Sequence, residues 1–249
     1  IKFVSEKKHF FKRNYIVLKM IIQSGFYYGI SNIFSFQYPL YKHHRDFSIL
    51  KEFKILIINL YRLLKYKIYE FNFEKTILKN YQKKYYFVPL QTSSDFQVKV
   101  HSDFCSIEDF IKQVLTSFAK NAPNDKFIFF KHHPLDRGRL NYKDMIENYS
   151  SDLKIKSRVK ILYDVHLPSL LKNAIGTVVI NSTVGFSSIF HNTPVICLGR
   201  SIYNIDGLTA KNTEIDQFWT KKLKIDKIKY KKFRSYLIEK TQINTNFYY

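Results

Sequence analysis

The sequence predicts an α/β fold in which a Rossmann-like parallel sheet follows a helical N-terminal portion. From residue 85 onward, short apolar strands alternate with helices, and polar clusters follow the ends of several strands. Strands that alternate with helices at this spacing specify a parallel, doubly wound sheet. The 45% share of hydrophobic residues also excludes a disordered basic chain, because there is ample apolar surface to bury.

The first strand and helix of the sheet region have clear signals. Residues 85–90 form an apolar run that predicts a buried strand. Ser106, with Asp109 three residues later, resembles a capping box and predicts a helix that ends before Pro123. The predicted apolar face of that helix comprises Ile107, Phe110, Ile111, Val114, Leu115 and Phe118.

Four further strands follow at regular intervals. They are predicted at residues 127–130, 159–162, 177–180 and 194–198. Short helices are predicted from about Leu167 to Asn173 and from Asn181 onward through Phe190. These elements define the predicted nucleotide-sugar-binding domain, residues 85–220, followed by a basic tail or helix at residues 221–249.

Residues 1–84 are predicted to be the helical remnant of an N-terminal domain, and the opening on Ile1 suggests that the chain is a fragment. Apolar residues recur at helical spacing between residues 49 and 64, with basic residues between them. We expect an amphipathic helix with a basic solvent side, either packed on its own domain or lying on a membrane surface. Residues 20–41 carry no charge, but their many polar side chains make a poor membrane span.

The net charge of +21 lies mainly outside residues 91–220, where basic and acidic side chains nearly balance. Such a charge favours a polyanionic partner, either nucleic acid or an anionic membrane. The neutral sheet region and the absence of a known DNA-binding module argue against nucleic acid. A coding bias towards lysine and asparagine is the alternative explanation for the excess of basic residues. Cys105 and Cys197 cannot form a disulfide framework, and no secretory signal is evident, so a reducing compartment is expected.

Candidate site residues follow the strand ends, where doubly wound sheets bind ligands. Asn181, Ser182, Thr183 and Gly185 open a helix and offer hydroxyls and backbone N–H groups to an anion such as phosphate, although the pattern alone favours plain helix capping for Ser182 and Thr183. Lys131 and His133 add positive charge at the same edge of the sheet, and Pro134 fixes the backbone directly after them. The loop after the first strand contributes Gln91 and Asp95, whose carboxylate is either a reacting group or a turn-capping residue.

The sequence lacks the motifs of several common nucleotide-binding and metal-dependent enzymes. The sequence contains no GxxxxGK[ST], GxGxxG or HExxH motif and no Asp-x-Asp pair to carry a divalent metal. The residues therefore favour a transferase that uses a phosphorylated donor without a metal or other cofactor, and they do not name the donor.

Six ordered motifs between about residues 86 and 219 resemble capsule polysaccharide biosynthesis proteins of the KpsS/LipB type. They are the segments 88–91 with Asp95, 101–102, 131–138, 179–185, 194–199 and 202–219. Any one of these motifs alone would be a weak signal, but their order along the chain makes the resemblance specific.

The resemblance implies a retaining, metal-independent glycosyltransferase of the GT-B type that transfers β-Kdo from CMP-Kdo to a phosphatidylglycerol-type lipid. It implies a location at the cytoplasmic face of the inner membrane and other capsule synthesis or export proteins as partners. Asp95 matches the nucleophile of related enzymes, and Lys131, His133, Ser182 and Thr183 would hold the CMP. An acidic motif of the family is expected upstream of Ile1. A GT-B enzyme with another nucleotide sugar and a non-catalytic export or assembly protein remain alternatives.

Overall fold

The computed structural model describes residues 13–37, 39–40 and 49–241 of the chain. Residues Ile58–Tyr230 form one compact unit, which contains the sheet. The described parts of Ile1–Ile57 and of Lys231–Tyr249 belong to a second unit. The predicted domain boundaries at residues 84 and 220 stay predictions, and residues 242–249 of the predicted basic tail lie outside the described residues.

The helices and strands follow one another as a helical segment and then an alternating α/β segment. In chain order they are α1 (Arg13–Ile33), α2 (Ile49–Tyr69), α3 (Phe73–Thr76), β1 (Tyr85–Pro89), α4 (Phe96–His101), α5 (Ile107–Asn121), β2 (Phe127–Lys131), α6 (Lys143–Asp152), β3 (Val159–Leu162), α7 (Leu167–Asn173), β4 (Gly176–Val179), α8 (Thr183–Phe190), β5 (Val195–Cys197), α9 (Ile215–Phe218) and α10 (Lys227–Thr241).

The five strands form one parallel sheet in the order β3-β2-β1-β4-β5. Each predicted strand is present with its ends within one residue of the prediction. The strand β1 lies in the centre, so its residues pair with β2 on one side and with β4 on the other. The predicted α/β fold with a parallel, doubly wound sheet is therefore confirmed.

Alternation along β1 divides the core into two layers. Tyr86 and Val88 face the layer that contains α5, whereas Tyr85 and Phe87 face the layer that contains α7. Successive strand residues point to opposite faces, so a strand covered on both sides is apolar throughout. The predicted cap of α5 is also present, since the Ser106 hydroxyl oxygen accepts a hydrogen bond from the Asp109 amide at 3.1 Å. Every predicted apolar-face residue of α5 is buried.

The closing segment completes the core beside α5. Trp219 is buried, and its indole N–H donates to the Ser117 hydroxyl oxygen at 2.8 Å. The Tyr86 hydroxyl donates to the Trp219 carbonyl oxygen, and the Phe118 ring lies 5.3 Å from the indole ring. The end of the motif segment 202–219 therefore contributes to the hydrophobic core.

The helix α2 is present as predicted and its lysines are exposed, but its C-terminal half exposes large apolar side chains as well. Leu60, Leu64 and Ile68 are exposed, whereas Tyr66 and Glu70 just beyond the helix end are buried. Polar contacts to the sheet unit set this rotation of the helix. In the described part of the chain, no helix is both long enough and apolar enough to cross a bilayer.

Replacing Trp219 by alanine is expected to lower the free energy of unfolding by about 3–5 kcal/mol, because it leaves a large cavity beside α5 and removes the indole hydrogen bond. Urea denaturation followed by circular dichroism measures the change, since the sequence contains one tryptophan and the variant loses its fluorescence. Phe190→Ala is the control, because that ring is 62% exposed. Equal losses in both variants would contradict this account of the core.

Candidate functional site

The candidate site lies where the chain reverses its direction across the sheet. After β1, the chain builds β2 and β3 on one side and then returns to β4 on the other side. Ligands of open α/β sheets bind in the crevice beyond the strand ends at such a switch point. Gln91 and Asn181 each lie two residues past the ends of β1 and β4, so the structure brings them to this crevice together.

The side-chain amide of Gln91 joins the two loops of the switch point. Its Nε2 donates hydrogen bonds to Asn181 Oδ1 at 2.9 Å and to Asp95 Oδ2 at 3.0 Å. Its Oε1 accepts from the Asn181 backbone N–H at 3.3 Å. The Asn181 amide Nδ2 in turn donates to the carbonyl oxygens of Gln97 and His101. Gln91 is buried, and its amide is committed to fixing this geometry.

Asp95 is half-buried and is the N-cap residue of α4. Its Oδ1 accepts a hydrogen bond from the Gln97 backbone N–H at 2.9 Å, while its Oδ2 accepts from Gln91. The capping interpretation of Asp95 therefore holds in the structure. It is compatible with a reacting carboxylate, because two donors orient the group and a carboxylate retains further lone pairs.

A buried carboxylate that the sequence interpretation did not select holds the same loop from the β2 side. Asp136 is 2% exposed, and its Oδ2 accepts from the Ser93 backbone N–H at 2.9 Å. The loop after β1 is thus tied to the loops after both neighbouring strands. The position of Asp136 two residues after Pro134, within the motif segment 131–138, is the signal that could have found it.

His133 follows β2 at the carboxyl edge of the sheet and interacts electrostatically with the Asp95 carboxylate. Its Nδ1 accepts from the Leu135 backbone N–H at 3.2 Å, so the neutral ring carries its proton on Nε2. Burial lowers the pKa of His133, and the carboxylates of Asp136 and Asp95 act against this shift. Pro134 begins a 3-10 turn directly after His133 and fixes the backbone there, as predicted.

His132 is a neutral core residue. Its ring stacks on those of Tyr142 and Tyr163 with centroids 5.2 Å away in each case, and its Nε2 accepts from the Tyr142 backbone N–H at 2.9 Å. Burial lowers the pKa of His132 to about 4. His132 therefore has its partners inside the core.

Lys131 is engaged away from Asp95. Its ammonium donates to the Tyr163 carbonyl oxygen and lies within electrostatic range of two carboxylates, Glu70 and Asp164. Burial lowers its pKa, and these two carboxylates act against that shift. In this arrangement the charge of Lys131 is balanced by the protein itself, so its predicted role in holding the donor stays a prediction.

The start of α8 supplies the remaining predicted residues. Ser182 caps the helix, since its hydroxyl oxygen accepts from the Val184 backbone N–H at 3.2 Å, and Thr183 is exposed on the first turn. Gly185 is covered by Tyr203, whose hydroxyl oxygen would lie 2.3 Å from an added Cβ. This close approach accounts for the glycine by packing, and the Tyr203 hydroxyl donates to the Ser182 carbonyl oxygen.

The structure thus joins Asp95 and Asn181 through Gln91 and places His133 within electrostatic range of Asp95. In the described part of the chain, no group of three or more His, Cys, Asp or Glu side chains could hold a metal ion.

The family model described as "Capsule polysaccharide biosynthesis protein" matches residues 2–248. The chain belongs to this family. The resemblance seen in the six ordered motifs is therefore confirmed.

Curated members of the family cover nearly all of this chain. It is 33% identical over 231 residues to the capsule polysaccharide export protein KpsS of Escherichia coli, covering 93% of this chain and 59% of that protein. It is 39% identical over 213 residues to the capsule polysaccharide modification protein LipB of Neisseria meningitidis serogroup A, covering 85% and 51% respectively. The chain therefore spans between one half and three-fifths of the length of these relatives.

Among solved structures, the Thermosulfurimonas dismutans KpsC, described as a beta Kdo 2,7 transferase, matches with a TM-score of 0.41 and 19% identity. The match covers 73% of this chain and 56% of that one. This similarity is too low to carry its reaction over to this chain.

The buried His132 predicts a specific loss of stability in acid. Its pKa of about 4 in the folded protein is below the value of about 6.5 in an unfolded chain, so the unfolded state binds the proton first as pH falls. Stability from this group is complete above about pH 6.5 and falls by about 3 kcal/mol as pH drops to about 4.

His132→Phe should remove this part of the pH dependence between pH 7 and pH 4.5, as measured by urea unfolding at each pH. The control His101→Phe replaces an exposed ring and should retain the wild-type slope. If His132→Phe showed the wild-type pH slope, the ring would not be held neutral by burial.

Proposed function

We propose that this chain is the nucleotide-sugar-binding part of a GT-B glycosyltransferase of capsule biosynthesis. The donor is CMP-Kdo, and the acceptor is a phosphatidylglycerol-type lipid that starts the capsule primer. Family membership supports capsule biosynthesis as the process. The observation that carries the reaction is the Asp95 carboxylate, which Gln91 and the Gln97 amide orient at the switch point of the sheet.

The chemistry is a double displacement that retains the anomeric configuration. Asp95 Oδ attacks the anomeric carbon of Kdo, the bond from that carbon to the phosphate oxygen breaks, and CMP leaves with the electron pair. The acceptor hydroxyl then attacks the same carbon and displaces Asp95, while its proton passes to a base or to solvent. Two inversions at one carbon give net retention.

The departing CMP is stabilised without a metal in this proposal. In the proposal, the phosphate lies at the start of α8, where the Ser182 and Thr183 hydroxyls and the positive end of the helix dipole favour an anion. His133 presents its Nε2 proton as a further hydrogen-bond donor. Preorganised donors of this kind stabilise charge that develops during bond cleavage.

The proposed setting is the cytoplasmic face of the inner membrane, where the lipid acceptor resides and where other capsule synthesis or export proteins are partners. Nucleic acid is not a partner in this proposal. The basic flanks of the chain suit an anionic lipid surface, since each well-placed lysine or arginine contributes about 1 kcal/mol near such a surface.

Two alternatives follow from specific observations. Another nucleotide sugar could occupy the same edge of the sheet, because the fold does not determine the donor. The name of the KpsS relative, a capsule polysaccharide export protein, favours a non-catalytic role in export or assembly as the second alternative.

Asp95→Asn in the complete gene product is expected to reduce release of CMP from CMP-Kdo by at least about a thousandfold, because the attacking carboxylate is lost. Gln91→Ala should reduce the rate by about a hundredfold, because Asp95 loses an orienting donor. The assay measures released CMP in the presence of lipid acceptor. Asp152→Asn at the exposed end of α6 is the control and should retain activity. Full activity of Asp95→Asn would overturn the assignment of the nucleophile.

Donor specificity has a separate readout that needs no acceptor. CMP at about 100 times its Kd is expected to raise the melting temperature of this chain by about 5 °C or more, whereas UDP should leave it unchanged. A shift with UDP alone would favour another nucleotide sugar. The absence of a shift with any nucleotide would favour the non-catalytic alternative.

A further inference from the structure

The C-terminal half of α2 packs on its own unit through polar side chains. Arg62 Nη1 donates to the Arg137 carbonyl oxygen at 2.7 Å, and Arg137 Nη1 donates to Asn59 Oδ1 at 3.4 Å. Arg137 is also paired with Asp164, and both side chains are largely buried. The helix is therefore held to the loops after β2 and β3 by hydrogen bonds.

The end of α2 is held still more firmly. The Tyr66 ring stacks on the Tyr163 ring at 3.7 Å. The Glu70 carboxylate, directly after the helix, accepts three backbone hydrogen bonds at 2.6–3.1 Å, from the N–H groups of Tyr163, Asp164 and Val165. These contacts determine which side of the helix faces the unit.

Because the polar side faces inward, the apolar side of α2 faces outward. Four large side chains on this side are 53–79% exposed, namely Leu60, Tyr61, Leu64 and Ile68. In the part of α2 that belongs to the second unit, Leu50, Phe53 and Ile57 are exposed as well. A stripe of this size on one helix marks a contact with an apolar phase or partner.

Charge identifies the occupant. Lys51, Lys54, Lys65 and Lys67 are exposed on the same helix. The helix contains one acidic residue, Glu52, and Glu70 directly after it is buried and bound to backbone N–H groups. The cores of protein interfaces are depleted in lysine, whereas a bilayer takes up apolar side chains and lets lysine ammonium groups reach anionic headgroups.

We propose that the apolar side of α2 lies in the surface of an anionic phospholipid bilayer, with Leu60, Leu64 and Ile68 inserted and the flanking lysines on lipid phosphates. Tyr61 and Tyr69 suit the headgroup level, where amphipathic rings reside. The proposal rests on the membrane location proposed above and is independent of the transferase chemistry.

This arrangement brings the candidate site close to the lipid surface. The contacts of α2 are with loops that follow β2 and β3, at the same carboxyl edge of the sheet as Asp95. Arg137 directly follows Asp136, which holds the loop between Gln91 and Asp95. A helix seated in the bilayer at this edge would present the site to a lipid acceptor without removing the acceptor from the membrane.

The test is flotation of the complete gene product with vesicles of phosphatidylcholine alone and with 30% phosphatidylglycerol. The wild type should float with the anionic vesicles and lose binding as salt rises. Leu64→Glu/Ile68→Glu should lower the partition coefficient at least tenfold, and Lys65→Glu/Lys67→Glu should lower it for anionic vesicles. The control Lys112→Glu/Lys120→Glu makes the same charge change on exposed positions of α5 and should stay within twofold of the wild type.

Folding and oligomeric state are measured on each variant by Trp219 fluorescence and light scattering. Failure of the wild type to bind anionic vesicles, or unchanged binding of Leu64→Glu/Ile68→Glu, would overturn the proposal. A wild-type dimer that this variant dissociates would assign the stripe to a second copy. The CMP-dependent melting shift should be the same in this variant as in the wild type. A wild type that binds anionic vesicles but shows no melting shift with CMP would count against the transferase proposal and leave the membrane proposal standing.

Discussion

The hydrogen bonds of the Gln91 side chain connect the two strand ends on which the candidate site depends. Parallel strands end at one edge of a sheet, but their loops are independent unless something ties them together. Gln91 binds the Asn181 side chain and backbone on one side and the Asp95 carboxylate on the other. Asp136 adds the corresponding tie to the β2 side through Ser93. If Asp95 reacts as proposed, a carboxylate held in this way needs little reorganisation when a substrate binds.

A second polar network lies behind this edge and shows how burial reassigns charged residues. Lys131 and Arg137 lie among the carboxylates of Glu70 and Asp164 and the backbone of residues 163–165. Buried charges are tolerated when each finds a partner, and removal of one partner leaves another charge uncompensated. The network therefore couples the end of α2 to the loops of the sheet. It also balances the charge of Lys131 without a bound ligand.

The net charge of +21 takes on a more specific meaning when it is combined with the rotation of α2. On that helix the exposed lysines flank an apolar stripe. Arg62 and Tyr66 on its other side, and Glu70 directly after it, contact the loops of the sheet. A helix that points its apolar side away from its own domain is unusual for a surface helix of a globular protein. The proposed binding to anionic lipid would account for both the exposed stripe and the lysines beside it.

Local patterns in the sequence determined the order of strands and helices, the cap at Ser106 and the apolar face of α5, because these depend on neighbouring residues and on simple periodicities. The strand-end positions of Gln91, Asp95 and Asn181 could be predicted for the same reason. Only the tertiary structure decided that Gln91 binds Asn181, that Lys131 turns towards Glu70, that His132 is neutral and that α2 exposes its apolar side. Each of these depends on partners far away in the chain, since a side chain finds its hydrogen bonds and its burial only when distant segments pack around it.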